Sequence, residues 1–389
     1  MPALGAFTVH EPLKPTRAIL RRMSPIATLA LLVPLAVLTW GCMTRNPYFD
    51  PAKPHHTPTG FRNSYPHDPP HGFWKWKREQ LREGLPKKPE GGYRFEVASA
   101  DVPTLANPSV TWIGHATVLV RVGGLNILTD PHFTERASPL ALAGPRRVVP
   151  PAIPLAELPH IDAVLVSHSH YDHLDAPTVR ALAAQPGGPP RYFVGLGLKP
   201  WFAAQGVISI DEMDWWESRE LHGVTVRFVP VQHWSARSPW DRNETLWGGF
   251  VVEHPSLRFF FAGDTGYSQD FRDIAARVGP IDVAALPIGG YAPRWFMRTQ
   301  HIDPAEAVQI HLDLGARHSL AIHWGTFDDL TDESLYEPPQ QLAEVLSARG
   351  LQPDSFWVFK HGETRSLGFL REVAGRAGIA SEAAAHRQR

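Results

Sequence analysis

Ile161-Asp-Ala-Val-Leu-Val-Ser-His168-Ser-His170-Tyr-Asp172-His173-Leu-Asp175 is the stretch that decides how this chain folds. Ala163 to Val166 form a short apolar run, and such runs of β-branched and apolar residues suit a strand covered on both faces. Three histidines and one aspartate follow within six residues. Imidazole and carboxylate are ordinary ligands for zinc and similar cations. No helical face would present His168, His170, Asp172 and His173 together, whereas a loop leaving a strand end can. The bland alternative is a polar surface turn. It is set aside because the same strand-to-loop pattern recurs downstream with more His and Asp.

That recurrence is specific. Val224-Thr-Val-Arg-Phe-Val-Pro-Val reads as a strand and delivers His233. Arg258-Phe-Phe-Phe-Ala runs into Gly263-Asp264-Thr265-Gly266, a buried strand closed by a sharp loop, where a carboxylate must be bound by something. Asp282 to Ile288 repeats the strand before Gly289-Gly290, and Ser319-Leu-Ala-Ile delivers His323. Upstream, Ser109–Ile113, Val118–Val122 and Leu125–Thr129 form a β-meander turned by Gly123-Gly124 and closed by Asp130. Asp130 at a strand end suits a carboxylate that braces a metal-bound histidine. His115, beside Gly114 at a strand break, could reach the site or serve a structural hydrogen bond. Tyr93-Arg-Phe-Glu-Val reads as a further strand. Thr178–Ala184, a segment from Gly197, Ala305–Asp313 and Gln340–Ala348 read as helices, with Asp303 as N-cap and Pro304 in the first turn of the third. Strand and helix in alternation imply α/β layers.

The 389 residues, 43% apolar and 20% charged, suffice for a sizeable core. Net charge is −1, which argues against nucleic acid as a partner. Cys42 is the only cysteine, so any metal must be held by His, Asp or Glu. Lys14, Arg17, Arg21 and Arg22 precede an uncharged run from Pro25 to Cys42, the order of a basic n-region and an apolar h-region. Leu38-Thr39-Trp40-Gly41-Cys42 is similar to a lipoprotein processing box, with the leucine one residue too far upstream and Trp40 bulky for the site. Lipidation at Cys42 is the leading expectation, ahead of an uncleaved anchor and a cleaved precursor. Residues 43–92 are rich in Pro, His and aromatics. Their His55, His56, His67 and His71 are expected to be solvated or locally packed. Phe73-Trp74-Lys75-Trp76-Lys77-Arg78 could touch lipid headgroups. Arg146 and Arg147 are expected as solvated loop residues ahead of a phosphate or headgroup contact, and His311 and His318 on a helix surface or in the loop after it.

The assembled motifs resemble the metallo-β-lactamase superfamily and, within it, the N-acylphosphatidylethanolamine-hydrolysing phospholipase D family. The resemblance covers about Asn46 to His361. It rests on His168-x-His170-x-Asp172-His173-Leu-Asp175, Gly263-Asp264-Thr265-Gly266-Tyr267, Pro287-Ile-Gly-Gly-Tyr291-x-Pro293-Arg-Trp295-Phe-Met297 and Ile322-His323-Trp324-Gly325-Thr326-Phe327. It implies an α/β fold, the αββα sandwich, over residues 93–365 with an N-terminal extension over 43–92; the residue pattern by itself suggests a signal peptide or membrane anchor over 1–42 and a weakly ordered tail over 366–389. The resemblance also implies two zinc ions (Zn2+). His168, His170 and His233 would hold the first, and Asp172, His173 and His323 the second, with Asp264 bridging. A bridging hydroxide would attack phosphorus. Catalytic roles fall on Asp264 and His301, with His301 at the substrate phosphate, or alternatively only bracing the entry of the helix after it. Tyr291, Trp295, Phe296 and Met297 would line an acyl groove or equally fill a core, while Asp175, Asp130, His115 and Tyr171 would support the ligands.

The expected activity is therefore hydrolysis of N-acylphosphatidylethanolamine-like phospholipids to N-acylethanolamine and phosphatidic acid. The expected partners are the phospholipid and a membrane surface of the cell envelope, with oligomeric state open and a homodimer one option. The rivals are a same-fold hydrolase of lactones or small cyclic phosphodiesters, and a non-catalytic lipid-binding lipoprotein.

Overall fold

The computed structural model describes residues 46–68, 71–84, 88–99, 106–140 and 142–368. Cys42, the apolar run before it and the tail beyond residue 368 lie outside them. Among the described residues no helix is long and apolar enough to cross a membrane.

Two seven-stranded sheets carry the fold. The first is built from β1 (Ser109–Gly114), β2 (Thr117–Val122), β3 (Leu125–Thr129), β4 (Ala163–Val166), β5 (Arg191–Gly195) and β6 (Ile210–Met213). The second holds β7 (Ser218–Leu221), β8 (Val224–Val229), β9 (Gly249–His254), β10 (Leu257–Phe261), β11 (Val283–Pro287), β12 (His318–Ile322) and β13 (Phe356–Trp357). The chain then returns to the first sheet as β14 (Thr364–Ser366), giving the order β14-β1-β2-β3-β4-β5-β6. The second sheet runs β7 to β13 in sequence order. Each sheet starts as an antiparallel meander and changes to parallel pairing at its fourth strand, β3 onto β4 and β10 onto β11. Val122 pairs with Leu125 across Gly123 and Gly124, which both have positive φ (60° and 84°), as a two-residue hairpin turn requires.

Alternation along the strands sets the layers. Val118, Val120 and Val122 of β2, with Ala163 and Leu165 of β4, face a core shared with the second sheet. Their neighbours Leu119, Val164 and Val166 face the opposite side. There they meet Val179 and Leu182 of α2 (Ala176–Ala183) and Phe202 of α3 (Lys199–Ala204). The second sheet is covered by α4 (Asp270–Val278), α6 (Pro304–Asp313) and α7 (Glu337–Ala348), through Phe271, Val308 and Leu342. The result is the αββα sandwich. Phe259, Phe260 and Phe261 are wholly buried, and each such side chain stabilises the fold by about 1.5–3 kcal/mol.

Four details differ from the sequence-based expectation. Tyr93–Val97 forms no strand; only Val97 bridges, to His361, and Phe95 packs its ring against Trp324 and Tyr336 instead. His311 is buried, its Nδ1 at 2.9 Å from Ser319 Oγ, because it lies on the inward face of α6. His318 opens β12 and stacks on Trp357. Arg147 is not solvated: its guanidinium packs over Phe327 and donates to the carbonyls of His132 and Thr134.

The N-terminal extension is held firmly. His56–Thr57 pairs with Gly60–Phe61, and Lys53, His55 and His56 all converge on buried Asp214 at 2.5, 2.7 and 3.0 Å. Burial opposes ionisation of Asp214, yet the bonds from His55 and Lys53 hold its carboxyl well below the usual range. Asp214→Asn should therefore cost about 2 kcal/mol at neutral pH, the scale of a hydrogen bond to a charged group. The folded carboxyl titrates below the unfolded value of about 4, so this contribution is complete above about pH 5 and fades in stronger acid. Denaturant unfolding of both proteins across pH should show the gap narrowing as pH falls. After the extension's loop comes α1 (Phe73–Glu83), whose buried Trp76 donates to Asp332 at 2.7 Å.

Candidate metal centre

The site gathers where strands end. β4 releases Ser167 to His173, β8 releases His233, β10 Asp264, β12 His323, and β3 ends on Asp130. Asp264 lies between two clusters. His168, His170 and His233 converge with it on one side, and His115, Asp172, His173 and His323 converge beside it on the other. Asp264 Oδ2 is 3.0 Å from His173 Nε2 and 3.9 Å from both His168 and His233 Nε2. Its Oδ1 is 3.1 Å from His323 Nε2. Asp172 Oδ2 lies 3.4 Å from His173 and His323 and 3.1 Å from His115 Nε2. His115, for which the sequence left open a place in the site or a structural hydrogen bond, stands in the second cluster itself, on a backbone at φ 53°.

The outer hydrogen bonds fix which ring nitrogen carries the proton. His233 Nδ1 faces the Gln300 carbonyl at 3.0 Å and His323 Nδ1 the Gly289 carbonyl at 3.3 Å. A carbonyl only accepts, so both rings donate outward and keep Nε2 for the cluster. His173 Nδ1 donates to Asp130 at 2.7 Å. His168 Nδ1 donates to Ser167 Oγ at 2.9 Å, and that hydroxyl in turn donates to Asp130. One wholly buried carboxylate therefore orients a ligand in each cluster, directly for His173 and through Ser167 for His168. Gly290, at φ 86°, holds a left-handed backbone that favours glycine, and a Cβ there would sit 3.1 Å from both His301 and His323 and press on them.

These residues fit a pair of cations. His168 Nε2 and His170 Nδ1 approach to 2.8 Å, and His173 Nε2 and Asp264 Oδ1 are buried without a hydrogen-bond partner. Orphaned inward-facing atoms of this kind are what a bound ion satisfies. Burial pushes His168 well below the ordinary imidazole range and His170 and His233 down to about 3, so all three are neutral ligands. Burial also opposes the charge of Asp264, but neighbouring His173 and His323 hold it ionised. Burial lowers His323 as well; Asp264 and Asp172 overcome it and raise the ring to about 9. Without a cation those imidazolium protons balance the carboxylates; binding of one releases them.

A cleft of about 660 Å³ opens on this floor, walled by Phe73, Trp76, Trp234, Phe296, Met297 and Leu330. His301 borders it, with an unpartnered Nδ1 3.8 Å from Asp264. Phe296 faces the cleft as expected for a substrate contact, but Tyr291 and Trp295 do not. Tyr291 is buried and donates to Glu337 at 2.7 Å, and Trp295 lies outside under Lys75, 45% exposed. Asp175 precedes α2 and accepts from the Thr178 hydroxyl, and Tyr171 lines the cleft with its hydroxyl on the Arg237 carbonyl. Ser167, Gln300 and the cleft role of Phe73 and Trp76 are not visible in the sequence as site features.

The sandwich and this centre define a metal-dependent hydrolase. The beta-lactamase superfamily domain matches residues 125–324, more than half of the chain, and the chain belongs to the metallo-β-lactamase superfamily. Within it the chain is homologous to members of the N-acylphosphatidylethanolamine-hydrolysing phospholipase D family. It is 43% identical over 264 residues to N-acyl-phosphatidylethanolamine-hydrolyzing phospholipase D 1 of Caenorhabditis elegans, covering 65% of this chain and 74% of that protein. It is 36% identical over 263 residues to the mitochondrial enzyme so named in Saccharomyces cerevisiae, covering 65% of this chain but only 55% of the yeast protein. Among solved structures, isothiocyanate hydrolase from Delia radicum gut bacteria superposes with a TM-score of 0.54 at 20% identity, over 66% of this chain and 98% of that one, which speaks for the fold alone.

Proposed function

We propose that this protein is a phospholipid phosphodiesterase of phospholipase D regiochemistry, cleaving N-acylphosphatidylethanolamine-like lipids to N-acylethanolamine and phosphatidic acid. The observation that carries it is the apolar cleft opening directly onto two converging ligand clusters. His168, His170 and His233 would hold one cation and Asp172, His173 and His323 the other, with Asp264 between them; zinc suits this nitrogen and oxygen set. When bound, the pair supplies Lewis acidity toward phosphoryl oxygen and acidifies water near neutral pH. The chain does the rest. Phe73, Trp76, Phe296 and Met297 shelter acyl chains and keep water from the floor, and His301 turns its free nitrogen toward a phosphoryl oxygen.

Purified protein offered N-acylphosphatidylethanolamine, ordinary phosphatidylethanolamine, a lactone and a small cyclic phosphodiester should release N-acylethanolamine and phosphatidic acid from the first. Turnover of the lactone or cyclic phosphodiester alone would remove the lipid assignment and leave the metal centre.

The catalytic part would work at the cell envelope, held there by the N-terminal apolar run and Cys42. Exposed Trp74, 81% accessible, and half-exposed Phe73 lie on α1 among Lys75, Lys77 and Arg78, a composition suited to a headgroup surface. Trp74→Ala should lower partitioning onto anionic vesicles about tenfold, the worth of part of one buried aromatic side chain. Sedimentation with vesicles measures this, and turnover of a short-chain soluble substrate should stay unchanged.

A further inference from the structure

β8 ends at Val229, and the last strand-like pairing before His233 is the isolated bridge of Gln232 to Gly266. Beyond that point the ladder offers the buried His233 no partner, yet a buried N–H and C=O must be paired. Asn63 supplies both bonds. Its Oδ1 accepts from His233 N at 3.0 Å and its Nδ2 donates to the His233 carbonyl at 2.9 Å. Oδ1 also accepts from Trp247 Nε1 at 3.0 Å, which fixes the carboxamide in turn. The contact reaches across 170 residues of sequence, from a segment that precedes the superfamily match at residue 125.

That segment has little freedom to withdraw. Phe61 is buried and donates from its backbone to the Asn243 carbonyl at 2.9 Å. A Cβ at Gly60 would stand 2.2 Å from the same oxygen, so the strand pair lies against the 243 loop as closely as backbone allows. Farther back, Lys53, His55 and His56 are fastened to Asp214.

We propose that Asn63 is a positioning residue of the metal centre: its carboxamide stands in for a missing strand and sets His233 in line with His168 and His170. The N-terminal segment is thereby a working part of that cluster. This rests on His168, His170 and His233 forming a metal site, and it is independent of which substrate the site turns over.

The test is zinc affinity of the full chain, measured by chelator competition without substrate. Asn63→Ala should weaken one of the two zinc equivalents about 10- to 100-fold, the usual cost of losing a group that orients a metal ligand. The other equivalent should bind as in the wild type, and kcat should fall with KM changed less than about twofold. Asn63→Asp keeps the acceptor for His233 N and Trp247 but loses the donor, so its affinity should fall between the two. Wild-type affinity for both equivalents in Asn63→Ala would overturn the proposal. So would an equal loss of both equivalents in both variants, which marks general loosening rather than positioning. Absence of lipid turnover with these affinities as expected would count against the substrate and not against Asn63.

Discussion

Asp264→Asn leaves the sandwich folded and lowers turnover by about 10²- to 10³-fold, the scale of losing one pre-organised electrostatic contact at a reacting centre. The side chain keeps its shape and buried position at the end of β10. What it loses is charge. Asp264 is the carboxylate that reaches both clusters, with Oδ2 toward His168, His173 and His233 and Oδ1 toward His323. A neutral amide with one end a donor cannot lie between two cations, and its N–H would face imidazole nitrogens or the ion itself. Metal content per chain should drop in the variant, and its metal-free form should melt lower than the metal-free wild type, because His173 and His323 lose their buried counter-charge. Elemental analysis and steady-state turnover measured side by side decide the matter. Unchanged turnover in the variant would rule out this site as the catalytic one.

Asp130→Asn is the second large effect, and it acts without touching an ion. Asp130 accepts from Ser167 N at 2.7 Å, from the Ser167 hydroxyl and from His173 Nδ1 at 2.7 Å. An amide there can satisfy Ser167 N with its oxygen, but its NH2 then meets two donors. His173 must either turn or shift its proton to Nε2, which removes the lone pair from the second cluster. Ser167 loses the acceptor for its own proton, so His168 loses its orienting partner in the first. The expected cost is about 10²-fold in metal affinity, the upper end for a group behind a metal ligand. Ser167→Ala severs only the branch to His168 and should cost less, about tenfold. Zinc titrations that find the two variants equal would show that the shared carboxylate does not couple the clusters.

The candidate metal clusters were legible in the sequence where their residues lie close together. His168 to His173 sit together behind an apolar run, and His233, Asp264 and His323 repeat the strand-end pattern. Asp130 was legible by the same rule, as an acid closing a strand. Contacts that the pattern does not encode were not. A tyrosine in Tyr291–Met297 looks the same whether it walls a cleft or, as here, is buried with its hydroxyl on Glu337. His115 sits at a strand break that serves a brace as well as a ligand, and only the approach to Asp172 distinguishes them. Asn63 is one polar residue in a proline-rich stretch, and nothing local foretells its partner. Tyr93–Val97 alternates like a strand, but its apolar side is satisfied by ring packing of Phe95 with little backbone pairing.

Every inward-facing ligand leaves the end of a sheet strand, whereas the cleft wall comes from connections: Phe73 and Trp76 on α1, Trp234 in the loop after His233, and Phe296 and Met297 on the short helix α5 (Arg294–Met297). The candidate ligands and most of the wall are therefore supplied by different parts of the chain, which meet where Gln300 and Asn63 hold His233. Substitutions confined to the wall, at Phe296 or Met297, should change what the cleft accepts while the strand ends keep both ligand clusters in place.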